Sequence, residues 1–156
     1  MQAATIAHIK KELKEKGSEE LMQLCLRLAR FKKDNKELLT YLLFEMNDEQ
    51  AYVSSIQNYI DEALEETNTS HFYFAKKTIR KVLRNVNKMI RYSGNKQTEV
   101  EVLIHFCRAL KALPLAIERS TVLSNLFDRQ VAKIRKTLNS LHEDLQADYL
   151  LELDDL

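Results

Sequence analysis

The residues best suited to bind a metal ion or to move protons at neutral pH are the four histidines, His8, His71, His105 and His142. A di-iron site in a helical bundle uses Glu-x-x-His, because this spacing puts both ligands on one side of a helix, but no acid precedes any of these histidines by three residues. The nearest arrangement is Glu101 with His105, for which no third ligand is indicated, so a helical surface pair is the simpler interpretation. We therefore expect no metal site.

Nucleophilic catalysis has no local sequence signature either. The chain contains no G-x-S-x-G turn, and Cys107 follows His105 by two residues, which places their side chains on different faces of a helix. We expect a protein without catalytic residues or cofactors; an enzyme or metal protein whose site is assembled from residues distant in sequence is the second alternative. Both Cys25 and Cys107 lie in apolar helical patterns, which predicts buried, reduced thiols.

Charge is strongly segregated along the chain. Seven acids and no Lys or Arg lie between Glu45 and Glu66, whereas eight bases and no acid lie between Thr67 and Thr98. Six acids and no base follow Lys136. The net charge of +1 therefore conceals blocks of opposite sign. These blocks predict an acidic fourth helix, a basic fifth helix and an acidic C-terminal segment.

The basic block forms one face of a helix predicted at about 70–92. At about 100° per residue, its bases occupy an arc opposite the apolar stripe that runs from Phe72 to Ile90. The candidate anion or partner surface consists of Lys76, Lys77, Arg80, Lys81, Arg84, Lys88 and Arg91, with Tyr73 and Tyr92 beside them.

Two interpretations of this basic face are open. It is either solvated, or neutralised by the fourth helix and the acidic segment 143–156; surface ion pairs of this kind contribute little stability. Alternatively it binds an anionic partner, with phosphates on the bases and Tyr73 or Tyr92 stacked on a nucleobase. A net charge of only +1 favours the first interpretation, since nucleic-acid-binding domains are usually much more basic.

Composition indicates that these side chains are carried by helices. The 156 residues include only 2 Gly and 1 Pro, with 45% apolar and 30% charged residues, so the turns that many short strands require are missing. The same scarcity excludes a Gly-rich phosphate loop and a flexible linker. We predict an all-α fold, a single domain over 1–156 of about seven helices, arranged as an antiparallel irregular bundle or a short HEAT-like stack of helix pairs.

Three helices are predicted in the first 46 residues. Gly17 is expected to end the first helix in the left-handed conformation, and Ser18 to cap the second. The second helix is predicted to bury an apolar stripe of Leu21, Leu24, Cys25, Leu28 and Phe31. After a break at Asp34 and Asn35, the third helix is apolar over more than half of its circumference, which predicts a central position.

The remaining helix boundaries are predicted from capping and helix-breaking residues. Asn47 and Thr98 are expected to open the fourth and sixth helices, each as part of a capping box. Gly94 is expected to end the fifth helix, and Pro114 to stop the sixth. The apolar pattern that resumes at Ser120 predicts a last helix of about 25 residues.

The acidic C-terminal segment 143–156 is predicted to dock on the body or to fray, and its tail, Asp148–Leu156, has two interpretations. It is a final helical turn held on the body by Leu150 and Leu153, with an end that can fray, or it is a peptide that fits a partner's groove or covers the basic helix.

The N-terminal sequence lacks a long apolar segment behind a basic start, and no stretch approaches about 18 apolar residues, so we expect a soluble, cytoplasmic protein with no membrane partner. The most consistent function is a non-enzymatic protein–protein interaction or scaffold domain, whose partner is another protein or a second copy of the chain. A nucleic-acid-associated protein that uses the basic face of the helix at 70–92 is the alternative.

Overall fold

The computed structural model describes all residues, Met1–Leu156, and contains helices but no strand. The prediction of an all-α fold is confirmed, with eight α-helices instead of about seven. The helices form two compact units, an N-terminal unit of Met1–Phe44 and a C-terminal unit of Glu45–Leu156. The single domain over 1–156 stays a prediction.

The N-terminal unit contains three short helices, α1 (Ile6–Lys14), α2 (Ser18–Phe31) and α3 (Lys33–Thr40). One π-helical turn, Tyr41–Glu45, continues α3. The hydroxyl of Thr5 caps α1 by accepting a hydrogen bond from the His8 N–H, at 3.3 Å.

Two predicted boundaries in this unit are wrong. Gly17 has a φ of −73° and precedes α2 as its N-cap, so it does not end α1 in the left-handed conformation and Ser18 is already helical. The Gly17 N–H donates to the Glu20 carboxylate at 3.1 Å, which lowers the pKa of Glu20. The break between α2 and α3 falls at Lys32 instead of at Asp34 and Asn35. Asn35 lies within α3, and its side-chain amide donates to the Leu28 carbonyl near the end of α2.

The C-terminal unit is a helical bundle with one central helix. Its elements are α4 (Glu49–Glu65), α5 (Phe72–Ser93), α6 (Lys96–Ala112), a 3₁₀ turn (Ile117–Arg119), α7 (Thr121–Leu138) and α8 (Glu143–Asp154). Helix α6 packs against α4, α5, α7 and α8. This arrangement fits the predicted bundle better than a stack of helix pairs, in which no helix is surrounded on all sides.

Helix α6 is central because it is apolar around most of its circumference. Its fully buried apolar side chains are Val100, Val102, Leu103, Ile104, Phe106, Cys107 and Leu110. Cys107 is thus the buried thiol that the sequence predicts, and burial raises the pKa of this thiol to about 12.

The ends of α4, α5 and α6 follow local hydrogen bonding. Gly94 has a φ of 67° and ends α5 in the left-handed conformation, as predicted. The predicted caps of the other two helices are each displaced, because Asp48 caps α4 by accepting from the Ala51 N–H and Asn95 caps α6 by accepting from the Gln97 N–H. Neither predicted capping box is formed.

Helix α6 ends before Pro114, as predicted. The prediction of one long last helix is wrong, because this part of the chain forms two helices, α7 and α8. Helix α7 ends at Leu138, since the Ser140 hydroxyl donates to the Thr137 carbonyl at 2.6 Å and competes with the helical hydrogen bonds. The chain then begins a separate helix, α8, with His142 as its N-cap.

Helix α8 lies on α6 and α7. Tyr149 and Leu153 are its buried side chains, whereas Leu150 is exposed. The Tyr149 hydroxyl is hydrogen-bonded to Glu101 and accepts from the Gln97 amide; burial, with the bond to Glu101, raises the pKa of Tyr149.

The packing of α6 predicts a large cost for truncating its side chains. Leu103→Ala removes a fully buried side chain and should lower the free energy of unfolding by about 2–5 kcal/mol. The matched control is Leu151→Ala on α8, whose side chain is 70% exposed and whose truncation should cost less than about 0.5 kcal/mol. Urea denaturation followed by circular dichroism measures both; equal losses would contradict the central position of α6.

The pKa of Cys107 predicts a pH dependence of stability. Above the ordinary thiol pKa of 9.0, the unfolded chain loses this proton while the folded chain keeps it until about pH 12. The free energy of unfolding should therefore fall between about pH 9 and 12, by up to ~1.4 kcal/mol per pH unit from this one group. Cys107→Ala should flatten that decline in alkaline urea titrations; an unchanged slope would show that the thiol is accessible when folded.

Candidate interaction surfaces

The predicted amphipathic character of α5 is present in the structure. Its buried side chains are Ala75, Ile79, Val82, Val86 and Ile90, all on the predicted apolar stripe. The neighbouring helix α4 is hydrogen-bonded to α5, because the Tyr52 hydroxyl donates to the Met89 carbonyl at 3.0 Å and the Asn85 amide donates to the Tyr59 hydroxyl at 2.7 Å. These contacts fix which face of α5 remains in solvent.

The cationic face of α5 contains five exposed bases, which we call the basic stripe: Lys77, Arg80, Lys81, Arg84 and Arg91. None of the five forms an ion pair within the chain. Lys76 and Lys88, the other two predicted basic members, are half-buried, as is Tyr92. The structure thus keeps the predicted set on one helix and brings its exposed members together.

The acidic blocks do not neutralise the basic stripe. Two acids of α8 pair with other helices, because Glu152 binds Arg108 of α6 at 3.0 Å and Asp154 lies 3.6 Å from Arg135 of α7. On α4, Asp61 binds His105 of α6 at 2.7 Å. The positive potential of the stripe is therefore left facing solvent.

Two exposed aromatic rings lie at the N-terminal end of the basic stripe. Tyr73 is 72% exposed and Phe74 is 48% exposed, and their ring centroids are 5.4 Å apart in an edge-to-face arrangement. Phe74 was not among the predicted site residues, although it lies beside the cationic arc in the helical projection.

A shallow groove runs beside the stripe, between α5 and α7. It is lined by Arg80, Leu83, Val122, Asn125, Leu126, Arg129 and Gln130, with no acid among them. Lys133 of α7 links α7 to α5 and α6. Its ammonium group donates to the Asn87 side chain of α5 and pairs with the Glu99 carboxylate of α6, both at 2.9 Å.

A second surface lies on the N-terminal unit, where the predicted core of α2 is exposed. Leu24 is exposed, Leu28 is 60% exposed and Phe31 is 84% exposed. Cys25, on the same stripe, is an exposed thiol, so the prediction that it is buried is wrong. Periodicity correctly located the apolar stripe of α2, but no neighbouring element covers it.

The predicted central position of the third helix is also wrong. Leu38, Leu42, Leu43 and Phe44 are all exposed, and Tyr41 is the only buried residue of the N-terminal unit. The broad apolar circumference of this segment therefore produces exposed surface on more than one side instead of core contacts.

Two apolar grooves connect the three N-terminal helices. Ile9 and Leu13 of α1 line one groove with Leu24 of α2, and Leu28 of α2 lines the other with Leu38 and Leu42 of α3. Since α2 borders both grooves, the six side chains form a continuous surface, which we call the apolar face: Ile9, Leu13, Leu24, Leu28, Leu38 and Leu42.

The residues suited to metal and proton chemistry are dispersed over the fold. His105 is bonded to Asp61, whereas Glu101 interacts with Gln97 and Tyr149, so Glu101 and His105 do not act as a pair. No group of three or more His, Cys, Asp or Glu side chains is arranged to hold a metal ion.

No helix of the chain has the length and apolar character needed to cross a bilayer. No family model, curated protein or solved structure gives a significant match to the chain.

The two cysteines should differ sharply in reactivity. In dilute folded protein, iodoacetamide should alkylate Cys25 and leave Cys107 unmodified, because Cys107 is buried and its raised pKa keeps the thiolate fraction low. Peptide mapping by mass spectrometry measures both sites, with unfolded protein in urea as the control in which both react. Equal modification in the folded protein would contradict the assignment of Cys107 to the core.

Proposed function

We propose that this chain is a non-enzymatic protein–protein interaction domain that self-associates, the apolar face of one copy packing on the apolar face of a second. The observation that carries the proposal is the exposure of all three amphipathic stripes of the N-terminal unit. An apolar stripe in water gains stability only when another element covers it.

The size of the exposed apolar surface supports a stable interface. Eleven large apolar side chains between Ile6 and Phe44 are exposed. They lie on more than one side of the unit, and the six that form the apolar face present roughly 500 Å², at the upper end of the ~300–600 Å² of the largest patch on a typical monomer. Phe31, on the same stripe of α2 and 84% exposed, extends this area toward the ~800 Å² that each partner contributes to a standard interface.

The charges beside the apolar face favour a second copy over a strongly charged partner. At the groove between α1 and α2, Lys16 pairs with Glu20 at 3.5 Å, and in α3 Lys33 lies 3.5 Å from Glu37. Because these charges are matched within one chain, two copies can meet without the repulsion that a single-sign rim would produce. A two-fold dimer needs this kind of self-complementary surface.

The small size of the N-terminal unit also supports association. A helical unit of 44 residues is near the size below which a chain needs cross-links or association to be stable, because it buries a small share of its surface. Its one cysteine, Cys25, is a free thiol. A second copy of the apolar face would provide the missing buried area.

Sedimentation velocity over a concentration series tests the proposal. The unmodified chain should form a dimer at micromolar concentration. Leu28→Glu should raise the dimer dissociation constant at least tenfold, because a carboxylate would be buried in the interface. The matched control is Leu151→Glu on α8, also highly exposed but outside the apolar face, which should leave the dimer unchanged.

The reactivity of Cys25 gives a second measurement that needs no variant in the apolar face. Cys25 lines the groove between α2 and α3, so its alkylation rate should fall as the protein concentration rises. The proposal is overturned if the chain remains monomeric at high concentration and the alkylation rate of Cys25 stays constant. The apolar face would then be assigned to binding a different protein. Dissociation of the dimer by Leu151→Glu to the same extent would also contradict it.

A further inference from the structure

We propose that the basic stripe of α5 binds single-stranded nucleic acid, with its phosphates along the stripe and a base stacked on Tyr73 or Phe74. This site lies on the C-terminal unit and is independent of self-association through the apolar face.

The length and direction of the stripe suit a polyanionic strand. Lys77, Arg84 and Arg91 are one heptad apart, so they follow nearly the same line along the helix. Fourteen residues at 1.5 Å per residue give about 21 Å. A strand in a stacked, helical conformation places roughly six phosphates over that distance at ~3.4 Å each, and a more extended strand places fewer.

The stripe is also free to make new contacts. Its five bases form no ion pair within the chain, and no acid occurs between Thr67 and Thr98, so a bound strand meets no carboxylate on α5. Three of the five are arginines, whose planar guanidinium groups can donate two hydrogen bonds to one phosphate.

The groove beside the stripe extends the binding surface onto α7. Arg129 provides a second guanidinium opposite Arg80, and Asn125 and Gln130 add amide groups without adding negative charge. The net charge of +1 does not weaken this surface, because at physiological salt the potential of distant acids is screened within ~8 Å.

The exposed aromatic pair distinguishes a single strand from an acidic peptide or a duplex. Tyr73 lies within the arc of the basic stripe, and Phe74 is beside it. The carboxylates of an acidic peptide have no planar base to stack on these rings, and the bases of a duplex are already stacked on one another. Unpaired bases stack on exposed aromatic rings without regard to sequence.

Fluorescence anisotropy with labelled single-stranded oligodeoxythymidylate and oligouridylate of about 12 nucleotides tests the proposal. We expect binding at low salt, and the logarithm of the association constant should fall linearly with the logarithm of the salt concentration. Five contacted phosphates correspond to a slope of about −3.5 for a single strand. Absence of binding to both oligonucleotides at low salt would overturn the proposal.

Charge-reversed variants locate the site. Arg80→Glu with Arg84→Glu should weaken binding at least tenfold and reduce the slope to about −2. The matched control is Lys10→Glu with Lys14→Glu on α1, which changes the net charge equally at two exposed positions of the other unit. An equal loss in the control would show non-specific attraction to net charge and overturn the site.

The aromatic pair provides the test for stacking. Tyr73→Ala with Phe74→Ala should weaken binding roughly tenfold with the salt slope unchanged, because no phosphate contact is lost. Both rings are exposed, so the fold should tolerate the change. Unchanged affinity in this variant, or equal affinity for polyglutamate or for phosphatidylserine vesicles, would assign the stripe to another anion and refute the single-strand proposal.

Discussion

The burial of α6 is the constraint on which the C-terminal unit depends. A helix that is apolar around most of its circumference must be covered on most sides, and here α4, α5, α7 and α8 provide that cover. Each covering helix needs only one apolar stripe and turns its other face to solvent. The basic stripe of α5 is exposed for this reason: its position is fixed by the opposite face, where Ile79 and Val86 pack inward.

The N-terminal unit shows what happens without such a central helix. Its helices have 9, 14 and 8 residues, and each is amphipathic, so none can cover the other two completely. Leu28 and Leu42 remain at the surface although their spacing is that of core residues. The same pattern of apolar residues thus forms a core in one unit and an exposed surface in the other.

This difference explains how much could be predicted from the sequence. The stripe and basic face of α5, the end of that helix at Gly94 and the stop before Pro114 follow from local rules, and the structure contains them. The burial of Cys25 was predicted wrongly because periodicity identifies an apolar face but not the element that covers it. Gly17 was misassigned for a related reason, since a glycine suits either end of a helix and the Glu20 side chain decides between them.

Charge layout follows the same principle, since the partner of a charge depends on tertiary neighbours and not on distance along the chain. The acids of α8 reach Arg108 and Arg135 because α8 packs on α6 and α7, while the basic stripe lies on a helix outside that contact. The pairing of these acids with α6 and α7 leaves the basic stripe of α5 without an ion-pair partner, even though the net charge of the chain is only +1. Near-neutrality in a helical bundle therefore does not imply a neutral surface: it is compatible with one face whose positive charge must be balanced by solvent ions or by a ligand.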